Sequence, residues 1–409
     1  MSIISEKAVI VGLNVNDREG LDEIERLTYS AGAEVVKKFI QRRKRIDPAY
    51  YIGKGKAQEI ASFSVQEGVN LIVFDADLTP AQQRNLEEIF NLKVIDRTRL
   101  ILDIFAQRAR TSEGKLQVEL AQLTHLLPRL TGHGIMLSQL AGGIGTRGPG
   151  ETKLEYDRRR IRKRINVLQK SIEKIRNRRA VQRRHRTFPL ISLVGYTNAG
   201  KSTLMNTLTN AGVLVDNRPF ATLDTTTRKI ELPGHQEVLI TDTVGFIRNL
   251  PHHLIAAFRA TLEEIKEADL LLHIVDISSS QMEEEMEAVR NVLEELEVHL
   301  KPTITVFNKI DKSNSREVLN RLLRNTPDSV GISALYGEGI PVLLEKISVF
   351  FSSLRRLVKF SFPYEVGIKY LPIFYERGEI YRKEFLNGKI IIEGKVDNEI
   401  AQKFAQYRI

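Results

Sequence analysis

The sequence predicts an α/β protein of several domains. Three observations lead there. Residues 1–110 and 188–352 alternate strand-like and helix-like stretches. The segment between them repeats leucine and isoleucine at helical spacing and carries the chain's net positive charge. An aromatic-rich tail with short strands closes the chain. At roughly 150 residues per domain, 409 residues make about three domains. The patterning divides the chain into 1–110, an N-terminal α/β domain; 111–187, a helical coiled-coil hairpin; 188–352, a nucleotide-binding α/β domain; and 353–409, a small C-terminal α+β domain.

Composition narrows the function classes. Apolar content of 42% with 27% charged residues suits a soluble chain that buries cores. Cysteine is absent, which excludes disulfides, Cys-ligated zinc, Fe–S clusters and thiol catalysis. The first residues lack the pattern of a signal peptide, and no apolar run reaches the roughly 20 residues a bilayer span needs. A cytoplasmic protein with no membrane insertion is the expectation.

In the first domain, Ala8–Leu13, Glu34–Ile40, Leu71–Asp75 and Lys93–Asp96 read as strands. Gly20–Ser30 and Ala81–Phe90 read as helices, giving a partly parallel sheet. The Gly53-Lys54-Gly55-Lys56 turn reads either as a phosphate-binding turn or as a basic loop opening a helix.

The net charge of +10 is unevenly placed. Between Arg147 and Thr187 there are 16 Lys+Arg and 4 Asp+Glu, an excess of 16 − 4 = +12, so the rest sums to 10 − 12 = −2. Leu154, Ile161, Ile165, Leu168, Ile172 and Ile175 form one seam of a/d type, and Leu116, Leu120, Leu123, Leu127 and Leu130 another. Between them, Ala141–Gly150 has five glycines in ten residues. The reading is an antiparallel hairpin with a basic tip, its second helix running from about Thr152 to Arg184. Such an excess repels itself unless phosphates or counter-ions neutralise it, which points to a polyanion, RNA first. Arg147, Lys153, Arg158, Arg159 and Arg162 are the candidate RNA contacts.

The apolar strand Phe188–Val194 runs into Gly195-Tyr196-Thr197-Asn198-Ala199-Gly200-Lys201-Ser202, followed by a helix. This is a phosphate loop in its strand–loop–helix setting. Its glycines turn backbone N–H groups toward phosphate oxygens, Lys201 reaches the β- and γ-phosphates, and Ser202 is a Mg²⁺ ligand. A strand then ends at Asp242-Thr243-Val244-Gly245, where the carboxylate can hold Mg²⁺ through water and the Gly245 N–H can meet the γ-phosphate. The strand Thr303–Phe307 ends at Asn308-Lys309-Ile310-Asp311. Asp311 can accept from guanine N1–H and the N2 amino group, neither of which adenine offers. Ser333-Ala334-Leu335 closes the base pocket, with the Ala334 N–H available to guanine O6. The set predicts GTP and GDP as ligands, a P-loop GTPase domain, and Lys201 and Gly245 as catalytic groups. A switch I hydroxyl completes the Mg²⁺ site; Thr222, Thr225, Thr226 and Thr227 all qualify by chemistry.

These motifs resemble those of Ras-like translation-factor GTPases, relatives of the Obg group. Phe220-Ala221-Thr222-Leu223-Asp224 with Thr226 and Arg228, then Asp242–Phe246, and the preceding Gly142–Glu155 stretch resemble the HflX family. The resemblance covers about residues 1–350. It implies a GTPase bound to the large (50S) ribosomal subunit and its rRNA through the basic region, acting as a monomer to split or rescue stalled ribosomes; a ribosome-assembly or membrane-surface regulatory GTPase is the alternative. It selects Thr222 as the catalytic switch I Mg²⁺ ligand. Relatives commonly have proline after Asp224, where this chain has Thr225, which loosens the loop. In some relatives an asparagine at the position of Asn198 ligates K⁺. Many GTPases place glutamine after Asp-x-x-Gly; Phe246 stands there instead, implying hydrolysis that is slow alone and stimulated by the ribosome.

Overall fold

A computed structural model describes residues 6–13, 21–131, 149–184, 188–209, 219–220, 225–234, 236–248, 259–312, 315–396 and 398–409. The glycine-rich stretch 141–148, Arg147, and Ala221, Thr222, Leu223 and Asp224 lie outside these residues, as does the side chain of Lys153. Two compact units make up the chain. Unit 1 is Met1–His185 with Asp216–Asp224 and Arg248–Glu263; unit 2 is Arg186–Val215, Thr225–Ile247 and Glu264–Ile409.

Unit 1 is built on β1 (Glu6–Leu13), β2 (Ala33–Gln41), β3 (Leu71–Phe74) and β4 (Lys93–Ile95), in the order β2-β1-β3-β4. All three pairings are parallel, not partly so as the sequence suggested. Each strand returns through a helix: α1 (Asp22–Ala31), α2 (Lys54–Glu67) and α3 (Pro80–Phe90). Helices on the sheet leave Ala8–Val11 and Leu71–Phe74 buried on both faces, the mark of a parallel sheet.

A fourth helix, α4 (Arg97–Arg108), leaves no clear trace in the sequence pattern. Asp96, read from sequence as the end of a strand, is its N-cap and accepts from the Arg99 N–H at 2.7 Å. The run Leu100-Ile101-Leu102 is buried on successive residues, so no helical period shows. Arg97, almost wholly buried, pairs with Asp75 at 2.6 Å and Glu23 at 2.7 Å and donates to the Arg248 carbonyl at 3.0 Å. Phe105 of α4 meets Phe220 edge-on, ring centroids 4.6 Å apart.

The hairpin of unit 1 consists of α5 (Ser112–Leu126) with a 3₁₀ turn (Leu127–Thr131), and α6 (Pro149–Arg184), whose 36 residues extend about 54 Å. Glu113 pairs with Arg179 at 2.5 Å and Glu119 with Arg164 at 2.6 Å, a pairing order that makes the helices antiparallel. Leu168 is buried in the seam of α6. On α5 the leucine seam is only half-buried; the fully buried positions are Gly114, Gln117, Val118, Ala121 and His125. The helix packs on both α4 and α6 and so needs two faces.

In unit 2, β5 (Leu190–Gly195), β6 (Thr226–Leu232), β7 (Gln236–Asp242), β8 (Leu270–Asp276), β9 (Thr303–Asn308) and β10 (Ser329–Gly331) lie in the order β10-β9-β8-β5-β7-β6. Only the β6–β7 hairpin is antiparallel. The helices α7 (Lys201–Thr209), α8 (Arg259–Lys266, begun in unit 1), α9 (Met282–Glu295), α10 (Ser315–Asn325) and α11 (Ile340–Leu354) connect the strands or follow them. The carboxyl ends of β5, β7, β8 and β9 converge, where open α/β sheets form their ligand crevice.

Unit 2 ends in an antiparallel sheet of β11 (Arg356–Pro363), β12 (Gly378–Leu386) and β13 (Lys389–Val396), ordered β11-β13-β12. The chain closes with α13 (Asn398–Lys403) and a 3₁₀ turn (Ala405–Tyr407). A second helix, α12 (Tyr364–Arg377), is new; Gly367 and Pro372 inside it mask the helical signal. Gly367 lets the helix lie on the sheet, since a Cβ there would sit 2.9 Å from Ile390 Cδ1. The core is Phe360, Phe362, Phe374, Ile390, Ile392 and Phe404.

Candidate nucleotide site

The phosphate loop connects β5 to α7 in the conformation its residue types dictate. Gly195 has φ +153°, and a Cβ on it would lie 2.3 Å from the Ile274 carbonyl oxygen of β8. Gly200 has φ +98°, and its Cβ would lie 2.1 Å from Asn308 Nδ2. Only glycine fits either place. Asn198 is left-handed at φ 62°, a conformation asparagine tolerates better than most residues, so its presence has a backbone reason apart from any cation.

Lys201 opens α7 and is buried. Its ammonium donates to the carbonyls of Gly195 at 3.0 Å and Tyr196 at 2.7 Å. Burial pushes its pKa down to about 8, opposed by the Asp242 carboxylate. Beside it, Ser202 Oγ donates to Asp242 Oδ2 at 2.7 Å. A hydroxyl and a fully buried carboxylate thus share one point, a set of hard oxygen donors that fits Mg²⁺. Thr243, missed as a structural member, is buried and donates to the Leu193 carbonyl at 2.6 Å, fixing the end of β7 against β5.

Gly245 lies close over the loop: a Cβ would be 2.9 Å from Thr197 Cα and 3.0 Å from Lys201 Nζ. Phe246 pairs its backbone with the loop, donating to the Gly195 carbonyl at 3.1 Å and accepting from the Thr197 N–H at 2.8 Å. Its ring is buried, so it packs as an apolar core residue.

The base end is tied to the same loop. Asn308 Nδ2 donates to the Ala199 carbonyl at 2.8 Å, and Asn308 Oδ1 accepts from the Ala334 N–H at 3.0 Å. The second bond uses the Ala334 N–H that the sequence reading assigns to guanine O6. Asp311 Oδ1 accepts from Ser333 Oγ at 2.6 Å, which orients the carboxylate. Lys309, left-handed at φ 67°, donates to Asp276 Oδ2 at 2.6 Å and to the Asn198 carbonyl at 2.8 Å. Asp276 was missed by sequence reasoning; its position at the end of β8, beside the loops of β5 and β9, was the available signal. Thr207 Oγ1, also missed, donates to the Ala334 carbonyl at 2.6 Å. Val244 is buried, Ile310 half-buried, and Leu335 exposed at the rim.

Of Phe220–Asp224 only Phe220 is described; it belongs to unit 1, where Phe105 packs on it. Thr226 and Thr227 lie in β6, and the Thr227 hydroxyl bonds that of Thr241. The weak turn at Gly53 behaves as a helix start: the Gly53 N–H is taken by Gln41 Oε1 at 2.8 Å and Lys56 by Glu59 at 2.7 Å.

Three family models match in succession: a GTP-binding GTPase N-terminal region at residues 18–106, a GTP-binding GTPase middle region at 108–186, and a 50S ribosome-binding GTPase at 190–309. The GTPase HflX of Caldanaerobacter subterraneus subsp. tengcongensis is 45% identical, the match covering 99% of this chain and 94% of that protein. That of Lacrimispora saccharolytica is 45% identical over 98% of this chain and 96% of the relative, and that of Escherichia coli 49% identical over 84% and 82%.

Proposed function

The chain belongs to the HflX family of GTPases, and from that premise we propose that its GTP cycle works on the large ribosomal subunit, with α6 as the arm that meets ribosomal RNA. The enzyme binds GTP and hydrolyses it to GDP and phosphate. The observation that carries the ribosomal reading is how α6 divides its charge. Arg164, Arg176 and Arg179 form ion pairs with Glu119, Glu263 and Glu113. Arg158, Arg159, Arg160, Arg162 and Lys163 form no ion pair among the described residues, and Glu155 and Asp157 do not reach them. The proximal arginines hold the arm; the distal ones await phosphate.

In the nucleotide site, Lys201 would take the β- and γ-phosphates, and Ser202 and Asp242, already hydrogen-bonded to each other, would hold Mg²⁺, with Thr222 the switch I hydroxyl that the family pattern selects. Magnesium supplies charge neutralisation on the phosphates. Gly245 offers its N–H to the γ-phosphate. Asp311, already oriented by Ser333, reads guanine N1–H and N2. Guanine O6 is assigned to the backbone N–H groups of Ser333-Ala334-Leu335. Phe246 offers no hydrogen bond to the attacking water, so hydrolysis is slow until a partner orders the switches. Splitting or rescue of stalled ribosomes is the outcome we favour.

Steady-state GTPase assays with and without 50S subunits test this reading. At least a tenfold stimulation is expected; equal rates would overturn it. Asn198 is further proposed as a K⁺ ligand that supplies charge beside the phosphates, and equal turnover in KCl and NaCl would reject that role.

A further inference from the structure

The C-terminal domain offers a second surface of a different chemistry. On α12, Tyr364, Ile368 and Tyr375 follow one helical stripe and are about half exposed. Phe385 of β12 joins them at one end, its ring 6.2 Å from that of Tyr364 and tilted to it. At the other end Lys383 donates to the Tyr375 hydroxyl at 2.8 Å and lies over the rings of Tyr375 and Phe385, 5.4 and 5.6 Å from their centroids. Lys369 and Lys403 lie likewise over Tyr370.

None of these three lysines has a carboxylate partner among the described residues, while the neighbouring acids on β12 are engaged. Glu384 is held by Arg382 at 2.8 Å, and Glu379 accepts from the Tyr381 hydroxyl at 3.2 Å. Glu365, in the first turn of α12, follows Tyr364.

We propose that this face binds unpaired nucleotides of RNA. Exposed rings offer stacking surfaces to bases of any sequence, and the Lys383 ammonium between Tyr375 and Phe385 meets a phosphate. An apolar protein partner would need rings without uncompensated lysines among them, and α6, a rod of arginines without exposed rings apart from Tyr156, suits duplex backbone instead. The platform stands on its own chemistry and does not depend on the proposed role of α6.

The chain has no tryptophan, so Phe385→Trp in the full-length GDP-bound protein gives a single indole reporter on the platform. Titration with a 12-nucleotide oligouridylate at about 0.3 M salt is expected to quench it to saturation, and duplex RNA to quench it less. Lys383→Gln should weaken the quenching curve several-fold. Tyr375→Ala with Phe385→Ala should lower oligouridylate affinity roughly tenfold or more, with GDP affinity unchanged as the check on folding. Indole emission that stays constant while anisotropy shows the oligonucleotide bound elsewhere would overturn the proposal. So would emission that changes with protein concentration alone, since a second copy would then cover the face.

Discussion

Gly200 shows how little freedom a residue has in the phosphate loop. Its φ of +98° and the 2.1 Å approach of Asn308 Nδ2 forbid a side chain. Gly200→Ala is expected to weaken GDP binding by roughly a hundredfold, because backbone strain and displacement of Asn308 act on both ends of the site; fluorescent-nucleotide titration checks it. Asp311→Asn should weaken GTP by at least about a hundredfold and favour xanthosine triphosphate, whose C2 oxygen accepts from the new amide. Unchanged GTP affinity would remove Asp311 from base recognition. Lys201 gives a pH signature. Its free-state pKa is pushed down to about 8, whereas bound phosphates favour the ammonium form. Above pH 8 the lysine must take up a proton to bind nucleotide, so affinity should fall as pH rises from 8 to 9. At about pH 7 and below this contribution is fully present and the profile should be flat. Calorimetry in buffers of differing ionisation enthalpy would register the proton uptake.

At the scale of elements, α6 is a helix that cannot be judged by its own charge. Its proximal arginines are anchored to α5 and Glu263, so neutralising the distal ones leaves the hairpin intact. Replacing Arg158, Arg159 and Arg162 together by glutamine should lower the salt slope of 50S association by about one unit for each phosphate the arm no longer neutralises. An unchanged slope would place the RNA-binding surface elsewhere. The parallel sheet of unit 1 depends on a buried cation in the opposite way. Arg97→Met removes a buried cation shared by the half-buried Asp75 and Glu23 carboxylates, a destabilisation of roughly 2–3 kcal/mol in a denaturant unfolding curve. Asp96, beside it, is pushed up by burial but held below the usual carboxylate range by His125, Arg129 and the Arg99 N–H, so it stays charged as the cap of α4.

The whole molecule has two units with separate cores, and the residues proposed to read guanine and the phosphate loop both belong to unit 2. Mg²⁺·GDP at a hundred times its dissociation constant should therefore stabilise the unfolding transition of unit 2 by about 2.7 kcal/mol, seen as a selective shift by differential scanning calorimetry. The phosphate loop, Asp242–Gly245 and Asn308–Asp311 were all legible in the sequence, because their chemistry demands fixed residue types at fixed spacing along one strand–loop–helix. The hairpin was legible too, since a 3.5-residue repeat and an excess of arginine show in the sequence before any packing is known. Partners brought together from distant chain positions were not. Asp276 for Lys309, Asn308 for the Ala334 N–H, and Asp96 as a helix cap rather than a strand residue are pairings that only the folded sheet creates. Helix α12 was hidden for a related reason: Gly367 and Pro372 oppose a helix locally, and packing on Ile390 overrides them. Local pattern thus determined which chemistry the chain carries; three-dimensional packing decided which donors remain for the ligand and which are already satisfied by the protein.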